Sequence, residues 1–162
     1  MVQIRLKHII DEDFQDYKKP SMMLATCYCD WKCLTEKSLD LSICQNSELA
    51  HQDNIEVSID SIIERYLNNP ITKAIVIAGL EPFLQFAEVI RFINEFREVR
   101  EDDIVIYTGY YLDEIDIFVN ELSDYKNIII KFGRYIPNNE GIYDEVLGVR
   151  LASDNQFAVK IS

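Results

Sequence analysis

Outside residues 27 to 44 the 162-residue chain contains no cysteine; Cys27, Cys29, Cys33 and Cys44 are its full complement. A disulfide framework would spread its bridges along a small secreted chain, and packing thiols would be scattered through the apolar segments, so neither role fits. A metal or cluster site is the first reading. No C-x2-C pair occurs anywhere, which removes the knuckle on which zinc modules are usually built. Basic residues are scarce, with 16 Lys and Arg against 28 Asp and Glu, a net charge of -12 and a pI near 4.5. A phosphate backbone would be repelled and no basic patch offsets the field, so a nucleic-acid partner is excluded. No apolar run approaches the roughly 18 residues of a membrane span, and Met1 to Lys7 is polar and alternating, unlike a signal peptide. The expectation is a cytoplasmic protein, in a reducing compartment that keeps thiolates available as ligands. The two histidines, His8 and His51, are too far apart for a metal pair and read as surface or hydrogen-bonded structural groups. No nucleophile triad is visible.

What is present fits one domain over residues 1–162, with 48% hydrophobic residues to build a core. The acidic segments Asp11 to Asp13, Glu95 to Asp103 and Asp113 to Asp116 read as solvated faces, with a docking surface for a protein partner as the other reading. Ser21 to Thr26 reads as a buried strand that delivers the chain into the cysteine loop, residues 27–46. Ile59, Ile62, Ile63, Tyr66 and Leu67 recur at helical spacing behind Ser58 as N-cap, and Asn68-Asn69-Pro70 supplies the stop. Ala74 to Ala78 is a strand ending at Gly79, followed through Pro82 by a helix carrying Phe86, Val89, Ile90, Ile93 and Phe96. Ile104 to Tyr107 is the next strand, Ile115 to Leu122 the next helix, and Asn127 to Phe132 a further strand. This alternation predicts an α/β fold with a mostly parallel sheet. The tail has no helical period, and Glu145 to Leu151 with Phe157 to Ile161 is expected to be extended or hairpin structure.

Ligands of such sheets lie outside the carboxyl ends of the strands. Three features fall there: the cysteine loop, Gly79-Leu80-Glu81-Pro82, and Thr108-Gly109-Tyr110. Cys29-x3-Cys33-x10-Cys44 offers three thiolates, and Cys27 offers a fourth. Four thiolates close a zinc site or complete a cluster, whereas three on a 4Fe-4S cubane leave one iron open for a substrate or cofactor.

Several segments together resemble the radical S-adenosylmethionine (radical SAM) enzymes, and among them the anaerobic ribonucleoside-triphosphate reductase activating proteins. Cys29-Asp30-Trp31-Lys32-Cys33 looks like the first two cysteines of that family's C-x3-C-x2-C loop. Ile43-Cys44-Gln45-Asn46-Ser47-Glu48-Leu49 looks like its third cysteine with the positions that follow. Gly79-Leu80-Glu81-Pro82 is similar to a Gly-Gly-Glu-Pro segment beside the methionine amino group of the cofactor. Ile106-Tyr107-Thr108-Gly109-Tyr110 resembles the activases' strand-plus-TGY signature. Lys131 to Ile136 is similar to a Gly-centred strand end, and Ser153-Asp154-Asn155-Gln156 to a Ser-x-Asn-Gln element. The likeness spans residues 21–162. There are two departures: ten residues, Leu34 to Ile43, separate the second and third cysteines where the family has two, and Leu80 stands in place of a second Gly.

The resemblance implies a partial (βα) barrel of radical SAM type with its cluster at the C-terminal strand ends. It implies a 4Fe-4S cluster on Cys29, Cys33 and Cys44, with Cys27 as a possible replacement for Cys29 or Cys44. S-adenosylmethionine would bind at Ile43, Cys44, Gln45, Gly79, Glu81 and Thr108, with Ile43 near the adenine and Glu81 and the Gly79 backbone toward the zwitterion. The implied function is an activase that cleaves the cofactor to a 5′-deoxyadenosyl radical and installs a glycyl radical on a partner such as anaerobic ribonucleotide reductase, with a flavodoxin or ferredoxin as one-electron donor. Two rivals stand beside it: a radical SAM enzyme acting on a small molecule or peptide, and a non-enzymatic module holding zinc or a fully ligated cluster. Trp31 would shield the cluster or anchor its loop. Tyr110 and Tyr111 stand where a cofactor or partner would touch them, whereas Tyr66, Phe86, Phe96 and Phe118 are core.

Overall fold

The computed structural model describes residues 1–162. In chain order the strands and helices are β1 (Gln3–Leu6), β2 (His8–Asp13), β3 (Ser21–Thr26), α1 (Lys32–Thr35), α2 (Ser47–Ala50), β4 (Ile55–Ser58), α3 (Ile59–Leu67), β5 (Ala74–Gly79), α4 (Phe86–Arg97), β6 (Asp103–Tyr107), α5 (Leu112–Leu122), β7 (Ile128–Phe132), β8 (Ile142–Asp144), β9 (Val149–Leu151) and β10 (Phe157–Lys160). Short 3-10 turns at Leu41–Ile43 and Pro82–Gln85 lead into Cys44 and α4.

The main sheet has six strands in the order β10-β7-β6-β5-β3-β2. Its four central strands, β3, β5, β6 and β7, are parallel and adjacent in sequence order; β2 and β10 close the two edges antiparallel. Right-handed crossovers between sequential neighbours put α3, α4 and α5 on the same face. Alternation along the strands then separates two cores. Met22, Leu24, Ile75, Ile77, Ile104, Ile106, Ile128 and Ile130 pack under α3, α4 and α5 in a cluster of 25 buried residues. Ala74, Val76, Ala78, Val105 and Ile129 point the other way, into a smaller core closed by Tyr17, Leu147, Leu151 and Ala158.

The elements follow from local chemistry. The Ser58 hydroxyl accepts the Ser61 N–H at the start of α3, and the helix stops at Leu67 before Pro70. On α4 the buried positions Phe86, Val89, Phe92, Ile93 and Phe96 form one stripe, each worth about 1.5–3 kcal/mol of burial. No helix is long and apolar enough to cross a membrane.

The tail is extended where expected, at Val149–Leu151 and Phe157–Lys160, but its pairing differs from a single hairpin. Glu145 to Gly148 is a turn between β8 and β9, and Phe157–Lys160 pairs with β7 instead of joining that hairpin. The periodicity-based reading also contained no β1, β2 or β4. These are short, and the β1–β4 ribbon joins residues 49 to 55 positions apart, a pairing that no local period reports. Nor are the acidic segments wholly solvated. Asp13 is 9% exposed, Asp103 accepts from the Tyr17 hydroxyl and Lys19, and Asp11 pairs with Arg65.

The connection from β2 to β3 and the tail hairpin lie across the smaller core. The Lys18 N–H donates to the Leu147 carbonyl, and the Tyr107 hydroxyl to the Asp16 carbonyl. One end of the helix-free face is thereby closed by the chain itself. The other, at the carboxyl ends of β3, β5, β6 and β7, stays open.

Candidate functional site

The open end is a cavity of about 470 Å³. Cys29, Cys33, Cys44, Gln45, Gly79, Glu81 and Thr108 line it, with Asn46, Gly109, Lys131, Tyr135 and Gln156. Its walls also include His8, Asp16 and Tyr107. Two residues of the expected set lie elsewhere. Ile43 is 40% exposed and outside the lining, and Cys27, 5% exposed, is outside it as well, within the electrostatic reach of Lys7, Glu88 and Arg5.

Each cavity sulfur accepts one backbone N–H. Trp31 donates to Cys29 Sγ at 3.3 Å, Tyr135 to Cys33 Sγ at 3.4 Å, and Asn46 to Cys44 Sγ at 3.4 Å. Such bonds stabilise sulfur carrying negative charge, as a thiolate ligand does. The first is obtained at a backbone cost. Trp31 sits at φ 61°, the left-handed region, which is unfavourable for a bulky residue by about 1–2 kcal/mol.

The loops that carry the sulfurs are tied to the neighbouring strand ends. The Glu81 N–H donates to the Tyr28 carbonyl at 2.6 Å and the Cys27 N–H to Gln85 Oε1 at 2.7 Å. Leu34, fully buried, pins α1 beside Cys33. Asn46 Nδ2 donates to the Gly79 carbonyl at 2.7 Å, fixing the segment after Cys44 to the end of β5, and the Lys7 ammonium donates to the Ala50 and Gln52 carbonyls at the end of α2. The ten residues between Cys33 and Cys44 fold as the end of α1, a bend at Ser38 and the turn capped by Asp40.

Two glycines are required for different reasons. At Gly79, φ is +92° and an added Cβ would sit 3.0 Å from Ala25 Cα and Thr26 N, so the close approach is to the adjoining strand β3. At Gly109 an added Cβ would lie 3.1 Å from Cys33 Sγ, so the open space there belongs to the sulfur.

Glu81 is 4% exposed, and its carboxylate accepts from the Phe83 N–H, the Thr108 hydroxyl and the Gly109 N–H. Burial pushes its pKa up to about 7 against the pull of those bonds. Lys131, buried in the same wall, is brought down to about 8 by desolvation, which the nearby Glu81 opposes. Burial also pushes Cys29 up to about 12 and raises Cys33. In the metal-free protein these are therefore thiols, and metal binding must release their protons.

The donor set separates the metal chemistries. No three Cys, His, Asp or Glu side chains converge closely enough for one ion. Tetrahedral zinc needs its sulfurs about 3.8 Å apart, from Zn–S bonds of about 2.3 Å. A cubane places each thiolate on its own iron, so three sulfurs spread round one cavity fit it. The arrangement is that of an α/β protein with three cysteine sulfurs gathered at the carboxyl ends of its parallel strands, a donor set that fits an iron-sulfur cluster. Residues 22–156 match the family model described as a 4Fe-4S single cluster domain, and the chain belongs to that family. No curated protein matches the sequence.

Sequence reasoning gave no role to Lys131, Tyr135, Asp16 or Arg134. Backbone N–H donors such as Tyr135 leave no trace in residue identity, whereas a lone Lys inside the apolar run Ile128 to Phe132 was a readable signal. Tyr110 is 7% exposed and donates its hydroxyl to Asp30, so it is part of the loop packing rather than an open contact. The Tyr111 hydroxyl accepts from Asn155.

Proposed function

We propose that this protein is a radical SAM activase, which uses a 4Fe-4S cluster and S-adenosylmethionine to generate a glycyl radical on a partner enzyme such as anaerobic ribonucleotide reductase. One observation carries the reading: three cysteine sulfurs, each with a backbone N–H, share a cavity with Gly79, Glu81 and Thr108, while the fourth cysteine is buried outside its lining. Three thiolates leave one iron of a cubane without a protein ligand, the condition for cofactor binding. The sheet is consistent with it, since parallel strands in sequential order with α3, α4 and α5 on one face are the units from which a partial (βα) barrel would be built.

When bound, such a cluster supplies the electron that cleaves S-adenosylmethionine to methionine and a 5′-deoxyadenosyl radical. The chain's own residues bind and orient. Cys29, Cys33 and Cys44 ligate; Gln45 and the end of β5 at Gly79 border the cofactor's place. Glu81, held by Phe83, Thr108 and Gly109, keeps the strand-end loops in register and presents negative charge to an ammonium group. The tail hairpin closes the far end and keeps water out.

Volume selects the acceptor. Drug-sized ligands occupy pockets of about 300–1,000 Å³, so a cavity of about 470 Å³ is filled by one cofactor with its cluster. Little of it is left for a second small substrate, which favours a glycine presented by a docked protein. A one-electron donor of flavodoxin or ferredoxin type completes the cycle.

The test is to incubate the reconstituted, reduced protein with S-adenosylmethionine and a co-encoded glycyl-radical enzyme deuterated at the glycine Cα. Deuterium in 5′-deoxyadenosine with a glycyl radical signal on the partner is expected. Cofactor cleavage with no glycyl signal on any such enzyme would defeat the activase reading, and deuterium transferred from a labelled small substrate would favour the small-molecule alternative.

A further inference from the structure

Arg134 follows Gly133 at the end of β7 and is 8% exposed. All five of its guanidinium N–H donors are engaged. Nε and Nη2 grip the two oxygens of Glu36 at 3.1 and 2.9 Å. Nη1 and Nη2 grip those of Glu114, both at 2.5 Å, and Nη1 also donates to the Gly109 carbonyl at 2.8 Å. The Arg134 carbonyl accepts from Asn155 Nδ2. An ion triad centred on a buried guanidinium is weak as a source of stability, because desolvation offsets its attraction; its better-attested use is to fix geometry.

The geometry it fixes is that of one sulfur. Glu36 lies three residues after Cys33, in the ten-residue segment that separates it from Cys44. Gly109 is the residue whose added Cβ would meet Cys33 Sγ. Tyr135, next in the chain after Arg134, donates its N–H to that same sulfur. Three walls of Cys33 are therefore bolted to a single guanidinium. Neither of the other cavity sulfurs has such an arrangement. Cys29 and Cys44 receive their N–H bonds from residues two positions on, within their own loops, whereas the donor to Cys33 is 102 positions away.

We propose that Arg134, clamped between Glu36 and Glu114, is a positioning residue for Cys33: it holds the sulfur and its Tyr135 N–H bond in place, and so sets how firmly the cluster is retained and at what potential it is reduced. It does this without touching the cluster, and it anchors the long gap between the second and third cysteines. The inference rests on the reading of Cys33 as a cluster ligand. Hydrogen bonds to ligand sulfur favour the more negative, reduced cluster, so loosening this one lowers the potential.

The test uses full-length Arg134→Lys, which keeps the charge and loses the fork, and Glu36→Gln, which alters only the half-exposed partner and leaves the guanidinium on Glu114. Arg65→Gln, at a surface pair with Asp11, is the control. Two readouts apply. In the metal-free protein, alkylation followed by mass spectrometry compares Cys33 with Cys29; in the reconstituted protein, chelator-driven cluster release and the midpoint potential are measured. Arg134→Lys is expected to raise Cys33 alkylation selectively and to speed cluster release roughly tenfold, the scale of one lost charge-assisted hydrogen bond. The potential should shift negative, with Glu36→Gln changing each readout the same way by less and the control unchanged. Alkylation and release within twofold of wild type in both variants would overturn the positioning role. A wild-type chain that binds no cluster while Arg134→Lys still exposes Cys33 selectively would instead remove the ligand reading, leaving Arg134 as an anchor of that thiol alone and the proposed control of the cluster refuted.

Discussion

Replacing Gly109 by Ala separates the space needed by the fold from the space needed by a cluster. The added Cβ would stand 3.1 Å from Cys33 Sγ and 3.8 Å from Glu81 Oε2, with no backbone atom in the way and no left-handed φ to strain. Ordinary heavy-atom contacts lie near 3.5–4.0 Å, so the sulfur must yield by about 0.4 Å or more. In the metal-free protein a thiol achieves this by a small rotation, at about 0.5–1.5 kcal/mol. Loss of glycine freedom in the unfolded chain returns about 0.4–1 kcal/mol, so net stability changes by less than about 1 kcal/mol. A sulfur bonded to iron cannot rotate in that way, and the strain falls on the cluster. Gly79→Ala is the contrast, because its Cβ meets strand backbone at 3.0 Å with φ at +92°. A left-handed penalty of about 1–2 kcal/mol adds there to about 1–3 kcal/mol of overpacking. Urea unfolding of the metal-free variants and chelator release from the reconstituted ones give the two axes. Gly109→Ala should unfold like wild type and release its cluster roughly tenfold faster, equivalent to about 1.4 kcal/mol, and Gly79→Ala should lose stability outright. A Gly109→Ala protein that unfolds early yet keeps its cluster as wild type does would refute the reasoning.

Iron and sulfide analysis should show Cys29→Ser, Cys33→Ser and Cys44→Ser each unable to hold a full cluster, whereas Cys27→Ala keeps it and loses only about 1 kcal/mol of packing; loss of the cluster in Cys27→Ala would reverse that assignment. Thr108→Val removes a donor to Glu81 and an acceptor for the Tyr110 N–H, and denaturant titration should show a loss of about 1–3 kcal/mol. For the metal-free protein, Asp16 and Glu81 are raised to about 7 from ordinary carboxylate values, chiefly by burial, so the folded state holds more protons than the unfolded one between about pH 4 and 7. Stability should therefore decline as pH climbs through that window. The depressed Lys131 opposes the decline from about pH 8, where the unfolded chain binds the extra proton, until the raised thiols of Cys29 and Cys33 turn stability downward again above about pH 9. Asp16→Asn should flatten the first limb, and an unchanged slope would contradict the burial of that carboxyl.

The parallel core was legible because each of its strands is a short apolar run closed by Thr26, Gly79, Thr108 or Gly133, and each helix repeats its apolar residues at 3.6 spacing. The edges were not. β2 carries Asp11, Glu12 and Asp13 among its six residues, a composition that reads as a solvated face until Arg65 and the Asp16 N–H are seen to meet the carboxylates of Asp11 and Asp13. The cysteine loop showed itself through clustering, but the choice among four thiols depended on where the chain turns. Trp31 in a left-handed conformation points its N–H at Cys29 Sγ, and the tie of Cys27 N–H to Gln85 draws that residue away. Glu81 was read as a group facing a ligand, and most of its hydrogen-bonding capacity goes to Phe83, Thr108 and Gly109, residues whose approach only the assembled strand ends bring about. Arg134 was invisible for the same reason, with its carboxylate partners 98 and 20 positions away.

Anaerobic reconstitution with iron and sulfide, followed by electron paramagnetic resonance of the reduced protein with and without S-adenosylmethionine, tests the account at its centre. A 4Fe-4S signal whose g values change when the cofactor is added is the predicted result, because three thiolates leave an iron free to bind it. A cluster signal indifferent to the cofactor, or a protein that takes up zinc and gives no such signal, would contradict it.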